Sequence, residues 1–376
     1  MATAGGLYVH SDSGALAGRD DYTTLIIVHG YVWHAGRRIM SCYWSTFVKL
    51  QPLAATYGVR IIALNRREYP GSVPYTAEER ALLPPVPDKP LTDPEHIRSS
   101  QQMLETFMRD RAHELYQSVQ GLVVERNLPP ARAESQTSGI VLIGWSLGAT
   151  WMTALLAHIA EFPVGAVNLR DYVRRVVLFD PPSFLLGYPY PARNRWNPLF
   201  DTSLTYEERG QVFTNWITSY FAHGDTLDTF ERRHALKTPP STIAAMSKED
   251  FEATVHVQPG VPGGSDWTLM HGCHALGVYG TLRKGALFLP QDGEKKTSGE
   301  EWRDVEVRYV WGDRSVWDVP YAALLLRQEV ADGVRDGKSM RKFTSLCVKG
   351  TNHFSQWDDP GRALQAFLAE PQECDA

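Results

Sequence analysis

Cysteines are few in this sequence, and long apolar runs are missing. The 376 residues include four cysteines, with no CxxC pair among them: Cys42, Cys273, Cys347 and Cys374. This pattern argues against a disulfide framework and against a zinc site, so we expect reduced thiols and no bound metal. No apolar run approaches the roughly 18 residues of a membrane-spanning helix, and the N-terminus lacks the charged and apolar regions of a signal peptide. We therefore expect a soluble, cytoplasmic protein.

An excess of one charge sign is also missing. The chain has 38 basic and 43 acidic residues, a formal net charge of −5, and no basic stripe with interleaved aromatics. We therefore expect no nucleic-acid partner. Hydrophobic residues make up 43% of the chain and charged residues 22%, as in globular proteins that bury a core. The length accommodates one large α/β domain with an insertion, or two small domains, and the composition leaves the oligomeric state open.

Strand-like and helix-like segments alternate along most of the chain. This alternation predicts a mostly parallel sheet with helices on both faces. The predicted strands are 23–30, 59–65, 139–145, 173–180, 305–312 and 343–350, and the predicted helices are 42–58, 94–127, 147–160, 319–333 and 359–370. From 181 to about 300 the alternation stops and aromatic residues become frequent. A structureless loop of roughly 120 residues is implausible in a compact domain, so we predict a folded, mainly helical insertion.

The segment Gly144-Trp145-Ser146-Leu147-Gly148 matches the Gly-x-Ser-x-Gly pattern. The bare pattern also arises by chance in loops. Here a predicted strand precedes it and a predicted helix follows it, which is the context of a nucleophile elbow. In that turn a strained serine projects above the sheet edge, and small residues two positions away on each side avoid collisions. The sequence therefore predicts Ser146 as a catalytic nucleophile.

A serine hydroxyl needs a base, and His353 is the best candidate. It follows the last predicted strand in "KGTNHFSQWDDP", where an imidazole can reach back over the nucleophile. The alternative is an ordinary loop histidine. The chain order Ser, then acid, then His is that of hydrolases built on such an elbow.

The acid that orients the imidazole is not decided by the sequence. The usual position, three residues after Gly312, holds Ser315 rather than an aspartate. Asp180, at the end of the preceding predicted strand, and Asp313, directly after Gly312, remain as equal candidates. Asp318 is a weaker third, because it opens a predicted helix and resembles an N-cap.

The oxyanion that forms in acyl transfer needs two backbone donors. One prediction is the N–H of Leu147, directly after the nucleophile, and the other is the N–H of Tyr31, in the loop after the first predicted strand. His29 in that loop is more simply a hydrogen-bonded structural residue than a catalytic one.

Three segments, "VHGY", "GWSLG" and "GTNHFSQWDDP", in this order, resemble the α/β-hydrolase superfamily over nearly the whole chain. "LNRREYPGS", "LFDPP" and "WGDRSVWD" are similar to segments of fungal paralogues in that superfamily. The resemblance implies an eight-stranded, mostly parallel sheet with a helical lid after the sixth strand. The core would then be residues 1–180 and 301–376, and the lid residues 181–300.

Together these patterns predict a serine hydrolase of the carboxylesterase or lactonase type, with a catalytic triad and no cofactor. Its substrate would be an apolar or aromatic small molecule, because the predicted lid is rich in aromatics, although part of that set forms the lid's own core. Two alternatives use the same site: an acyltransferase, and a non-hydrolytic cyclase of a biosynthetic pathway. Arg66 and Arg67 lie near the expected site, and pairing with carboxylates of the lid is favoured over substrate binding.

Overall fold

The computed structural model describes residue 3 and residues 5–39, 42–86, 92–132, 138–290 and 302–370, and it does not describe the side chains of residues 37–44. The strands are β1 Tyr8–Asp12, β2 Thr23–Val28, β3 Arg37–Ile39, β4 Cys42–Trp44, β5 Val59–Asn65, β6 Gly139–Trp145, β7 Val173–Phe179, β8 Glu306–Gly312 and β9 Phe343–Val348. The α-helices are α1 Ala77–Ala81, α2 Pro94–Arg126, α3 Gly148–His158, α4 Tyr206–Ile217, α5 Thr242–Ala245, α6 Lys248–Thr254, α7 Ser265–Thr268, α8 Val278–Leu287, α9 Asp318–Arg335, α10 Ser355–Asp358 and α11 Pro360–Leu368.

The central sheet has the order β1-β5-β2-β6-β7-β8-β9. Strand β1 is antiparallel to β5, and every other neighbouring pair is parallel. This arrangement confirms the predicted α/β fold with a mostly parallel sheet. The sheet has seven strands among the described residues, where the resemblance implied eight. Strand β1 gave no clear sequence signal, because it is only five residues long and half-polar.

The middle strands are buried on both faces, which explains their continuous apolar sequences. Every residue of β2, β5 and β6 is buried, as expected of parallel strands covered by helices on both sides. Ile26 and Val28 of β2 face a core that includes α2 and α3, whereas Leu25 and Ile27 face a second core that includes α11. The alternation along a single strand therefore supplies both cores.

The predicted helix 42–58 is wrong. That segment contains strand β4 and a 3₁₀ helix, Val48–Leu53, with Pro52 inside it. Proline lacks the N–H that an α-helix needs at an interior position, and 3₁₀ turns occur in short pieces. Helix α2, by contrast, matches its prediction, because Asp93 caps its first turn and Asn127 ends it in a left-handed conformation.

Residues 181–300, which we call the insertion, separate β7 from β8. The structure describes this segment as far as residue 290, and residues 291–300 lie outside the described part. Helices α4 to α8 occupy it, joined by turns, 3₁₀ segments and a short π-helix, Leu269–Cys273. It contacts the loop after β2 through an isolated bridge between Trp33 and Val255. In the part of the chain that is described, no helix is both long and apolar enough to cross a bilayer.

Candidate active site

Ser146 lies in a strained turn between β6 and α3. Its φ is 53°, a left-handed value that is uncommon for residues other than glycine. A Cβ at position 144 would lie 2.3 Å from the Gly148 carbonyl oxygen, and a Cβ at position 148 would lie 2.6 Å from the Val28 carbonyl oxygen. Both glycines are therefore required by close backbone contacts, which is the steric reason for the motif.

The end of β7 lies directly beside this turn. Ser146 N–H donates to the Phe179 carbonyl at 2.8 Å, and Asp180 follows with a φ of 54°. Neighbouring parallel strands thus end in two residues with the same unusual backbone conformation. Such strain persists only where surrounding contacts impose it, and it is concentrated at functional sites.

His353 and Asp180 form a buried pair. Nδ1 of His353 lies 2.6 Å from Oδ2 of Asp180, and their side chains are 2% and 1% exposed. Trp145, next to the serine, donates from Nε1 to the His353 carbonyl at 3.0 Å and packs against its ring at 5.2 Å between centroids. Trp145, the residue before Ser146, therefore packs against the imidazole, and the Asp180 carboxylate bonds to its Nδ1.

Two further donors fix the Asp180 carboxylate. Gly312 N–H donates to Oδ1 at 2.7 Å, and Ser315 Oγ donates to Oδ2 at 2.5 Å. Ser315 occupies the position where the sequence pattern expected an acid, and it contacts the acid of the neighbouring strand instead. The sequence identified this serine as a departure from the pattern but could not reveal its partner.

The structure does not bring Asp313, the other candidate acid, to His353. Its Oδ1 accepts a hydrogen bond from Gly350 N–H at 2.5 Å. Asp318 is also elsewhere: it is fully buried, and Ser183 Oγ donates to its Oδ1. Of the three carboxylates, only Asp180 is bonded to His353 among the described contacts.

Both backbone segments that carry the predicted oxyanion donors adjoin Ser146. Leu147 N–H precedes the first turn of α3, whose dipole favours negative charge at that end. In the other segment, a Cβ at Gly30 would lie 2.9 Å from Ser146 Cβ, so the backbone before Tyr31 contacts the serine. Ser146 Oγ makes no hydrogen bond to His353 among the described contacts. In free enzymes, bonds between nucleophile and base are commonly long, and they shorten when substrate binds.

His29 has the structural role that the sequence favoured. It is fully buried, and its Nε2 accepts from Arg66 N–H at 3.1 Å. Nδ1 must then carry the proton, which it donates to the Gly30 carbonyl at 2.9 Å. Burial lowers its pKa well below the usual value, so the ring stays neutral at physiological pH and shapes the loop before Tyr31.

The sequence over this architecture matches a known family. Residues 25–366 match the model of the Alpha/beta hydrolase family. The chain belongs to this family. This membership supports a hydrolase in general. It does not identify the type of bond that is cleaved. No curated protein sequence matches the chain.

Solved structures with similar folds include several enzymes. A bromoperoxidase from Bacillus anthracis is 13% identical, with a TM-score of 0.42 over 97% of this chain and 95% of that one. An epoxide hydrolase from Vigna radiata is 12% identical, with a TM-score of 0.41 over 98% and 94%. An esterase from Exiguobacterium antarcticum is 12% identical, with a TM-score of 0.44 over 98% and 97%. Similarities of this size carry no information on the reaction of this α/β hydrolase.

A cavity of about 270 Å³ in this α/β hydrolase lies between the loop after β2 and the insertion. Its lining is mainly apolar and includes Tyr31, Leu199, Phe213, Val255 and Trp267. Ser146 is not among the lining residues, and Tyr31 belongs both to the cavity wall and to the loop that contacts the serine. A cavity of about 150 Å³ holds benzene, so this one has room for a substituted aromatic ring.

The segment His271–His274 contains two histidines and one cysteine, which are residue types that can bind metals. Burial lowers the pKa of His271 to about 4, and no group of metal-ligating side chains is present in the described part of the chain. Arg66 pairs with Asp266 of the insertion at 2.7 Å, in agreement with the favoured structural interpretation. Arg67 pairs with Glu79 and Glu114, which lie outside the insertion.

Proposed function

We propose that this α/β hydrolase is a serine hydrolase that cleaves an ester-type bond, in a carboxylic ester or lactone of an apolar or aromatic small molecule. Ser146 is the nucleophile, His353 the general base and Asp180 the residue that orients the imidazole. The observation that carries this proposal is the buried bond of 2.6 Å between His353 Nδ1 and Asp180 Oδ2, one strand away from the strained serine. A carboxylate in that position keeps the proton on Nδ1 and leaves Nε2 free to accept one.

The reaction follows from these positions. Ser146 Oγ attacks the acyl carbon while its proton moves to His353 Nε2, and the carbonyl oxygen becomes an oxyanion. The C–O bond to the leaving alcohol then breaks, and the imidazolium returns the proton to that alcohol. Water, deprotonated by the same imidazole, attacks the acyl-enzyme and releases the acid and Ser146.

The oxyanion would be held by the N–H groups of Leu147 and Tyr31. Neither N–H donates to another described residue, whereas the adjacent Val32 N–H donates to Tyr69 at 3.0 Å. Two backbone donors close to a nucleophile that make no other hydrogen bond among the described residues suit the charge that develops in acyl transfer.

We assign the insertion, residues 181–300, as a lid on a core of residues 1–180 and 301–376. The apolar cavity between the lid and the loop after β2 supports a substrate with an apolar or aromatic group. A ligand pocket lined mainly by hydrophobic side chains, with few polar groups, recognises such a group by excluding water from it.

A fluorophosphonate probe tests the proposal. It should label the wild-type protein on Ser146, and both Ser146→Ala and His353→Ala should abolish labelling. Ser183→Ala is the control, because Ser183 is another buried serine that follows a strand of this sheet, and it should label normally. Turnover of p-nitrophenyl esters of graded chain length and of aryl lactones then defines the substrate. An unlabelled wild-type protein, or labelling that survives Ser146→Ala, contradicts the proposal, and acyl transfer to an added alcohol in preference to water would establish the acyltransferase alternative.

A further inference from the structure

The loop after β2 contains a second strained residue. Val32 has a φ of 52°, and a β-branched residue in this region is a genuine outlier. Trp33 N–H donates back to the Tyr31 carbonyl at 2.6 Å, so Val32 is the centre of a three-residue turn of the rare, strained form. The strain falls one residue from the Tyr31 N–H, which we propose as an oxyanion donor. Something must hold this turn in place.

Tyr69 stabilises this turn through its hydroxyl group. Its hydroxyl accepts the Val32 N–H at 3.0 Å and donates to Oδ2 of Asp266 at 2.6 Å. Burial raises the pKa of Tyr69 well above its usual value, so the hydroxyl keeps its proton and remains a donor. A single hydroxyl therefore links the strained backbone to a carboxylate that lies 197 residues further along the chain.

Arg66 holds the same loop from a second direction. Its guanidinium donates to both carboxylate oxygens of Asp266 at 2.7 Å, and its Nη2 donates to the Gly30 carbonyl at 2.8 Å. The side chains of Arg66 and Asp266 are each 1% exposed, so water does not compete for these bonds. The carboxylate in the middle is in α7, a helix of the insertion.

Helix α7 also contacts the proposed substrate cavity. Trp267, which follows Asp266 directly, is among the residues that line it. The same short helix thus meets the cavity with one side chain and the loop beside Ser146 with the next.

We propose that Tyr69 and Asp266 are positioning residues for the oxyanion site, which hold Val32 in its strained turn so that the Tyr31 N–H stays beside Ser146. The lid then does more than cover the substrate, because its carboxylate completes the arrangement of the core loop. This inference rests on the proposed acyl-transfer function. It gives Tyr69 and Asp266 a role that is separate from those of the proposed nucleophile, base and acid.

Tyr69→Phe tests the proposal, because it removes only the hydroxyl. We expect kcat for a p-nitrophenyl ester to fall about 10- to 100-fold with KM changed less than about twofold, because misplacing an oxyanion donor weakens transition-state binding alone. An aryl trifluoromethyl ketone provides a second readout: Ser146 adds to its carbonyl carbon, His353 takes the proton and the ketone oxygen becomes the oxyanion. Its inhibition constant should rise by the same factor as kcat falls.

Tyr188→Phe is a matched control. Tyr188 donates to Glu329 at 2.5 Å, and Glu329 pairs with Arg283 at 2.8 Å. This cluster repeats the tyrosine, carboxylate and arginine arrangement, and none of its described hydrogen bonds or ion pairs involves the loop after β2. The control should keep kcat and the inhibition constant within about twofold of wild type, even if its melting temperature falls as far as that of Tyr69→Phe.

The outcomes separate the two proposals. If the wild-type protein is labelled on Ser146 and turns over the ester, but Tyr69→Phe keeps its kcat, the positioning role is wrong and the proposed function stands. A loss of kcat that Tyr188→Phe shares in full also overturns the role, because general destabilisation then accounts for it. If the wild-type protein is not labelled, both proposals fail. Asp266→Asn should act in the same direction as Tyr69→Phe, which remains the decisive variant if Asp266→Asn does not fold.

Discussion

The ends of β7 and β8 are neighbours in the sheet, and each is followed at once by an aspartate. Asp180 after β7 accepts bonds from Gly312 N–H, Ser315 Oγ and His353 Nδ1. Asp313 after β8 accepts one from Gly350 N–H. The two residues are alike in type and in distance from the strand, and only one of them reaches the imidazole.

The difference lies in how the backbone leaves each strand. Asp180 turns at once into a left-handed conformation with a φ of 54°, and its N–H donates to the Val310 carbonyl of β8 at 2.7 Å. At the end of β8 the chain runs against the histidine loop, because a Cβ at Gly312 would lie 2.4 Å from the Thr351 carbonyl oxygen. The comparison of these neighbouring strands shows that the turn after a strand, rather than the spacing of residues, decides which aspartate faces His353.

The largest expected effect comes from breaking the pair at β7. Asp180→Asn should lower kcat for an ester substrate about 10³- to 10⁴-fold, because an amide no longer holds the proton on Nδ1 of His353. Steady-state kinetics, with circular dichroism to verify folding, measure this. Loss of less than about 10-fold in a folded variant would remove Asp180 from the proposed triad.

Asp318, a third carboxylate near the end of β8, extends the comparison to stability. Burial raises its pKa from 3.8 to about 7, so the folded protein binds a proton more tightly than the unfolded chain. The contribution of Asp318 to stability is full below about pH 4 and is lost as the pH rises towards 7, a difference on the order of 4 kcal/mol.

Asp318→Asn should remove this pH dependence. Urea unfolding at pH 4.5, pH 7 and pH 8 measures this. The free energy of unfolding of the wild-type protein should fall with rising pH relative to that of the variant, and most of this fall should occur between pH 4.5 and pH 7. Parallel curves for the two proteins would mean that Asp318 is not protonated in the fold near neutral pH.

The smallest effect is expected at Asp313, the mirror of Asp180. In Asp313→Asn the amide oxygen still accepts the Gly350 N–H, so kcat should stay within about threefold and stability within about 0.5 kcal/mol, as for most surface changes. The same ester assay and a urea titration measure both. A 100-fold loss of kcat would reverse the assignment of the two aspartates.

Much of the fold was accessible from the sequence, because local patterns determined it. The apolar runs of β2, β5 and β6, the capped helix α2 and the nucleophile motif each depend on residues close together in the chain. Strand β1 was too short and too polar to detect, and the segment around Pro52 shows that an apolar pattern with a proline does not make an α-helix. In the candidate site, the sequence motifs predict Ser146, His353, Leu147 and Tyr31, and their catalytic roles stay predictions.

The sequence by itself determined the α/β architecture and the strained serine between two glycines, because strand periodicity and steric limits act over a few residues. Only the tertiary structure decided which aspartate bonds to His353 and which carboxylate accepts the Ser315 hydroxyl. It also decided that Tyr69 and Asp266 form a hydrogen bond next to the loop after β2. Those contacts join residues 173, 135 and 197 positions apart. No local pattern encodes a contact of that separation, because it depends on how the strand ends and the insertion come together when the chain folds.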